Sequence, residues 1–249
     1  MKSYKLIIGE ILTSELAYTF IKALNNKDIF NFKNYKVDLS ATQNFIKASV
    51  FWGLYERSEL NTITTHINSQ FPIIELGASL GLTSLAIQNK AKNQIIISVE
   101  ANTKLIRNLE KTKKINQLNN WHILNYAIDY SGEDYIDFEV DFGNLGSKKS
   151  LIPNVNTIKV KTATLKAIHK KHLDEQNFVL IADVEGAEIE IILEDSDFLK
   201  EKCKQIIIEL HHTTYKGIDY NKKIIADLIV QKTKMKMIYN DGKTWVFNK

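Results

Sequence analysis

The stretch Ile73-Ile-Glu-Leu-Gly-Ala-Ser-Leu-Gly-Leu-Thr83 joins a short apolar run, an acid and two glycines. The β-branched run reads as a buried strand, and the residues after Gly81 read as the start of a helix. Gly77 and Gly81 permit positive φ and close backbone approach, and Gly81 opens the helix without a Cβ clash. The spacing is Gly-x-x-x-Gly. It departs from the dinucleotide pattern Gly-x-Gly-x-x-Gly because Ser79 holds the middle position and no third glycine follows in place. The Gly-Lys-Ser/Thr of a phosphate loop is missing as well. Two glycines alone also describe a plain strand-to-helix connection, so the flanking sequence must decide.

Outward from this turn, apolar runs at Pro72–Leu76, Ile95–Glu100, Trp121–Ala127, Phe178–Asp183 and Ile206–Leu210 alternate with amphipathic segments. That alternation is the signature of βαβ units. Ile95-Ile-Ile-Ser-Val99 and Ile206-Ile-Ile208 are continuous rather than alternating, as expected of strands covered on both faces. Leu105, Ile106 and Leu109 mark one helical face; Ile189, Ile192 and Leu193 mark another. Tyr220–Lys232 reads as a helix, and Met235–Tyr239 and Thr244–Phe247 flank a turn at Asn240, Asp241 and Gly242. The expected fold is α/β: a Rossmann-like, mostly parallel sheet with a C-terminal antiparallel hairpin and helices on both faces. Residues 130–160 read as an irregular insertion, with Tyr135–Val140 and Thr157–Val160 paired in a substrate-facing flap. Residues 1–249 read as one domain, with 1–58 a mainly helical cap whose clearest helix is Ile11–Leu24.

Glu100 ends the strand after the glycine turn, where a Rossmann-like site places a carboxylate against ribose hydroxyls. Both strand ends face one crevice, which suits a ribose-containing cofactor. Glu75 separates two such cofactors: a carboxylate just before the turn repels a pyrophosphate but suits a sulfonium and an α-amino group. The expected cofactor is therefore S-adenosylmethionine, with its product S-adenosylhomocysteine. A strand-end carboxylate that caps backbone amides or pairs with a lysine is the other reading of Glu75.

Four segments resemble the FkbM family of methyltransferases: Ile74-Glu-Leu-Gly-Ala-Ser-Leu-Gly81, Ser98-Val-Glu-Ala-Asn102, Ile181-Ala-Asp-Val-Glu-Gly-Ala-Glu188 and Ile208-Glu-Leu-His211. The resemblance runs from about residue 51 to 211, and Asp-Val-Glu-Gly-Ala-Glu is its most specific string. It implies cofactor contacts from Glu75, Gly77, Ala78, Ser79, Gly81, Glu100 and Ala101, with Ala127 in the adenine-side loop. It places Asp183 and Glu185 beside the transferred methyl, and implies O-methylation of a sugar or secondary metabolite. Three positions depart from the family's pattern. Ser79 stands where the family usually has Asn, Lys166 replaces the aspartate that follows Thr162-Ala-Thr-Leu165, and bulkier residues follow Ala127 in Asn125-Tyr-Ala-Ile-Asp129.

Methyl transfer is an in-line displacement, so the acceptor oxygen must be aligned and its proton removed. Asp183 is the first candidate, as base or as acceptor-orienting residue, and Glu185 the second. Both also fit a helix N-cap and an acidic first turn. His211 or His212, after the fifth strand, offers an imidazole base or acceptor contact. A divalent cation shared by Asp183 and Glu185 with Glu209 or a histidine would also suit these oxygens, though sequence alone assigns no metal ligands. The aromatics of Phe51-Trp52-Gly-Leu-Tyr-Glu56 read as docking the cap on the core rather than as a sugar-stacking wall.

Bulk properties narrow the partners. The 249 residues carry 33 Lys plus Arg against 29 Asp plus Glu, a formal +4 without a long basic block, so a nucleic-acid partner is not expected. Lys111–Lys114 falls on a helical stretch as a solvated face. Cys203 is the sole cysteine and lacks zinc-ligand spacing. Glu10 and Glu15 interrupt the first apolar stretch, and no run approaches the length of a membrane span, so a cytoplasmic protein is expected. The expected partner is a hydroxylated small molecule or glycan precursor, which places the chain in polysaccharide biosynthesis. Competing readings are methylation of nucleic acid or protein, a non-catalytic S-adenosylmethionine-binding module and, least favoured, a nicotinamide-dependent oxidoreductase.

Overall fold

A computed structural model describes residues 12–24, 27–140, 147–149 and 157–249. The first described elements are helix α1 (Glu15–Leu24), hairpin strands β1 (Ile29–Phe32) and β2 (Tyr35–Asp38), and helices α2 (Asn44–Phe51) and α3 (Arg57–His66). The hairpin adds two short strands to a region expected to be mainly helical. Phe32 pairs with Tyr35 across a two-residue turn of Lys33 and Asn34, and Lys33 takes φ +52° there. The part of the expected Ile11–Leu24 helix before residue 12 lies outside the described residues.

The sheet begins with β3 (Ile73–Leu76), α4 (Leu82–Lys90), β4 (Ile96–Val99), α5 (Thr103–Asn116) and β5 (Trp121–Leu124). Asn102 caps α5 by accepting from the Lys104 amide, and Gln117 ends it in the left-handed region. The expected strand Trp121–Ala127 is cut in two by Asn125. Its side-chain amide donates to the carbonyls of Glu100 and Ala101, which pulls the chain off the ladder. The chain then enters a second sheet of β6 (Ala127–Ile128), β7 (Tyr135–Val140), β8 (Ser147–Lys149) and β9 (Thr157–Ala163), in the order β6-β9-β7-β8. The expected pairing of the insertion's strands is present, with Ile136 opposite Val160. Residues 141–146 and 150–156 of that insertion lie outside the described residues.

Next come α6 (Leu165–His172), β10 (Phe178–Ala182), α7 (Glu188–Glu194), α8 (Ser196–Lys202) and β11 (Cys203–Glu209). A small hairpin, β12 (Thr213–Tyr215) and β13 (Ile218–Tyr220), leads into α9 (Lys222–Thr233), β14 (Lys236–Asn240) and β15 (Thr244–Asn248). The main sheet has the order β14-β15-β11-β10-β3-β4-β5. Its neighbours from β11 to β5 run parallel, whereas β15 lies antiparallel between β11 and β14. This is the expected mostly parallel α/β sheet with its closing antiparallel hairpin.

Alternation along each strand feeds two cores. Ile73, Ile96, Val179 and Ile207 pack with α4, α5 and the N-terminal elements on one face. Ile74, Ile97, Leu180 and Ile208 pack with α6 to α9 on the other. Both faces are therefore covered, as parallel strands require, and each buried aliphatic side chain contributes about 1.5–3 kcal/mol. Among the described residues no helix is long and apolar enough to cross a membrane.

Candidate active site

From β3 the chain adds β4 and β5 on one side of the sheet, then returns to place β10 and β11 on the other. The crevice at the carboxyl ends of β3 and β10 is thus a topological switch point, where α/β sheets hold ligands. Gly77 forms its floor. The Gly77 and Ala78 amides donate to the Val99 carbonyl, and the Asp183 amide donates to the Leu76 carbonyl. Gly77 has φ +86°, and a Cβ there would stand 1.8 Å from the Asp183 carbonyl oxygen. Its glycine is therefore required by the opposite strand end before any ligand arrives. Gly81, at φ +80°, starts α4, and a Cβ there would meet Leu109 at 2.7 Å.

Ser79, between the glycines, takes φ +46°. Its amide donates to Glu100 Oε2 at 2.8 Å, and the Asn102 amide donates to Glu100 Oε1 at 2.7 Å. One carboxylate thus ties the glycine turn to the loop after β4. Burial raises the pKa of Glu100 against the pull of these amides. Ala101 and Ala127 pack together at the root of the insertion's sheet with Ile136 and Val160. Of the expected cofactor residues, Ser79, Glu100 and Ala101 meet at one place, with Gly77 and Ala78 beside them.

Glu75 sits one layer deeper than the sequence implies. It is 1% exposed and accepts at Oε2 from Ser84, at 2.5 Å, and from Ser98. Trp121 Nε1 donates to the Ser98 hydroxyl at 2.8 Å, which extends the network beneath the turn. Glu75 Oε1 is buried without a hydrogen-bond partner. Burial lifts its pKa to about 7 against the two hydroxyls.

The other half of the crevice, beyond β10 and β11, is acidic. Asp183 follows β10, Glu185 has φ +49°, and Gly186 at φ +108° would bring a Cβ 3.2 Å from Thr213 Oγ1. His211 stands among four carboxylates. Nδ1 lies 2.8 Å from Glu188 Oε1, and Nε2 lies 3.3 Å from Glu209 Oε1, 3.6 Å from Glu185 Oε2 and 4.0 Å from Asp183 Oδ1. Burial lowers the pKa of His211, but the bonds to Glu188 and Glu209 outweigh it and hold it at about 10. With a carboxylate on each nitrogen the charged imidazole is the favoured form, and in that form it has no lone pair with which to take a proton. His212, the next residue, is exposed.

Sequence reasoning missed the acids that reach this cluster from α3 and its approach. Burial, Glu56 and Asp183 raise Glu59 well above the carboxylate range, and burial likewise raises Glu56. Burial, Glu209 and Glu185 raise Asp183 to about 7. Lys243, from the β14–β15 turn, pairs with Glu209 Oε2 at 2.5 Å. Glu56 opens α3 at φ +45°, a conformation that the sequence did not signal. Nothing in Arg57–His66 distinguishes Glu59 from a solvated helix acid.

A cavity of about 170 Å³ opens beside the glycine turn, with Lys33, Tyr55, Arg57, Asn61 and Leu82 in its walls. Phe51 and Trp52 meet edge to face at 4.9 Å and are 39% and 40% exposed. Phe51 also meets Phe30 edge to face at 6.5 Å, so the pair sits on the hairpin and keeps a solvent face.

The geometry can be set beside known proteins. M. jannaschii TYW2 in complex with AdoMet is 15% identical over 88% of this chain and 82% of that one, with a TM-score of 0.43. The N-terminal domain of EvdMO1 with SAH bound is 10% identical over 76% of this chain and 78% of that one, with a TM-score of 0.42. The METTL16 MTase domain is 12% identical over 80% and 65%, with a TM-score of 0.41. A search of curated protein sequences gives no match. The model described as the methyltransferase FkbM domain matches residues 75–233, most of the 249-residue chain, and includes the turn, Glu100, Asp183, Glu185 and His211. The chain therefore belongs to the FkbM methyltransferase family.

Proposed function

We propose that this protein transfers a methyl group from S-adenosylmethionine to a hydroxyl of a small molecule or glycan precursor. The observation that carries the reading is Glu100, which closes over the glycine turn at the switch point, where the Asp183 amide is bonded to Leu76 just before the same turn. The residues fit the cofactor. Each Glu100 oxygen keeps acceptor capacity for a ribose hydroxyl beyond its amide bond. The unpartnered, buried Glu75 Oε1 adds negative potential beneath the cationic end. When bound, the cofactor supplies an electrophilic methyl on a sulfonium, which an acceptor oxygen displaces in line.

Asp183 orients the acceptor and Glu185, with its half-exposed carboxylate, takes the hydroxyl proton. The charged His211 holds Glu185, Glu188 and Glu209 in place and is a positioning residue, not the base. The cavity with Lys33, Tyr55 and Arg57 receives the rest of the acceptor. Residues 12–58 act as a cap on the same domain, since Tyr18, Ile21 and Phe30 share a core with the sheet residues Ile73 and Ile96.

Calorimetric titration with S-adenosylhomocysteine tests the reading without the acceptor. Saturable binding is expected for the wild type, weakened about tenfold or more in Glu100→Ala, which removes two bonds to a charged acceptor. Folded wild-type protein that binds no S-adenosylhomocysteine would overturn it.

A further inference from the structure

Six carboxylates gather at the β10–β11 end of the crevice: Glu56, Glu59, Asp183, Glu185, Glu188 and Glu209. Among the described residues Lys243 and His211 are the cations paired with them, so the carboxyl groups outnumber the cations by four. Uncompensated charge in a part-buried site is costly unless a further cation or protons arrive. The pattern of satisfied and unsatisfied oxygens distinguishes the two. Glu59 is 6% exposed and its Oε2 has no hydrogen-bond partner, and Asp183 Oδ1 is likewise buried and unbonded. One oxygen each from Glu59, Asp183 and Glu209 lies within 4.8 Å of the other two.

We infer that Glu59, Asp183 and Glu209 form a divalent-cation site that holds the acceptor, with an all-oxygen ligand set suited to magnesium, manganese or calcium. Oxygens on opposite sides of such an ion are about 4–5 Å apart, which matches the observed grouping. His211 also groups with Asp183 and Glu188 within the same limit. Its Nδ1 is committed to Glu188 and its Nε2 to Glu209, so that set lacks a free nitrogen ligand. The three ligands come from α3, the end of β10 and the end of β11, so the site closes only when all three elements are docked. Hard cations of this kind take about six or more ligands, so three protein oxygens leave adjacent positions open. Two neighbouring oxygens of one acceptor can fill them. The acceptor class is then a compound whose methylated hydroxyl has a second oxygen on the adjoining carbon, such as a vicinal diol. This inference rests on the reading of the crevice as a methyl-transfer site.

The test uses the full-length protein, stripped with EDTA and desalted, then titrated with Mn²⁺ while the free-ion resonance is followed. One bound Mn²⁺ per chain is expected, competed by Mg²⁺ or Ca²⁺. Glu59→Gln and Glu209→Gln each weaken it at least about tenfold, and Glu201→Gln, on the exposed face of α8, leaves it unchanged. S-adenosylhomocysteine titration of the same samples checks that each variant is folded and separates the two claims. Protein that binds S-adenosylhomocysteine but no Mn²⁺, or Mn²⁺ affinity undiminished in both glutamine variants, overturns the cation site. Mn²⁺ uptake that depends on Glu59, in protein that binds no S-adenosylhomocysteine, upholds the site and strikes the cofactor reading instead.

Discussion

The two halves of the crevice share one sheet edge and are built by opposite rules. At the β4 end, each oxygen of Glu100 already accepts a backbone amide, and the glycine turn is closed by chain-to-chain bonds. At the β10–β11 end, Glu59 Oε2, Asp183 Oδ1 and Glu188 Oε2 are buried without donors. Native structures pair nearly all buried polar groups, so a cluster of leftover acceptors calls for an explanation. The first half leaves one such atom, Glu75 Oε1 beneath the turn. The second leaves these three, two of which belong to the proposed cation site.

The sharpest way to break this contrast is at the junction. Gly77→Ala drives a Cβ to 1.8 Å from the Asp183 carbonyl, and is expected to cost about 4 kcal/mol or more and to abolish S-adenosylhomocysteine binding. Urea denaturation measures it. A variant as stable as wild type would mean that the two strand ends are not locked together.

A smaller effect follows from Glu75. Its folded pKa of about 7 lies above the usual 4.5, so the unfolded chain releases this proton first as pH rises. Its contribution is therefore fully present below about pH 4.5 and is lost as pH rises through 7, by about 3 kcal/mol at 1.4 kcal/mol per unit. Glu75→Gln should flatten that part of the stability profile relative to wild type. Parallel profiles from pH 4.5 to 8 would show that Glu75 is not the group responsible.

The halves should also answer the same substitution with opposite signs. In metal-free protein Glu100→Gln sets an amide donor against a backbone amide and should lose about 2 kcal/mol. Glu59→Gln removes charge from an overfull cluster and should gain about 1 kcal/mol. Thermal melts in EDTA decide it, and a loss in both variants would erase the distinction. The smallest effect is Ser79→Asn. The left-handed φ of +46° favours asparagine, so a gain of about 0.5 kcal/mol is expected, read as a slightly higher melting temperature.

The fold was legible where a single segment carries its own signal. Ile95–Val99 and Ile206–Ile208 could only be strands buried on both faces, and Asp241-Gly242 marked the last turn. The β1–β2 hairpin escaped because its turn is Lys33-Asn34, without the glycine that usually betrays one, although Phe30, Phe32, Tyr35 and Val37 do alternate. The site divided in the same way. Asp183, Glu185 and His211 stand at strand ends and drew attention there. The burial of Glu59 depends on how α3 lies over a sheet edge whose other acids are more than 120 residues away, and local pattern does not encode that. For His211, sequence supplied the residue but not its role, because the role is set by the Glu188 and Glu209 carboxylates on its two nitrogens.

Ser58 Oγ donates to Asp241 Oδ2 at 2.7 Å across 183 residues of chain, one position from Glu59 on one side and two from Lys243 on the other. Such a long loop is slow to close, and its far end lies in the turn between β14 and β15, whose last strand pairs with both β11 and β14. On a ribosome, or in a refolding mixture, the nucleoside-facing half can mature early while the acidic half waits for the final hairpin. On the proposed function, the ability to recognise a cofactor is gained before the ability to hold an acceptor, and a nascent chain stalled before residue 241 is expected to have the first without the second.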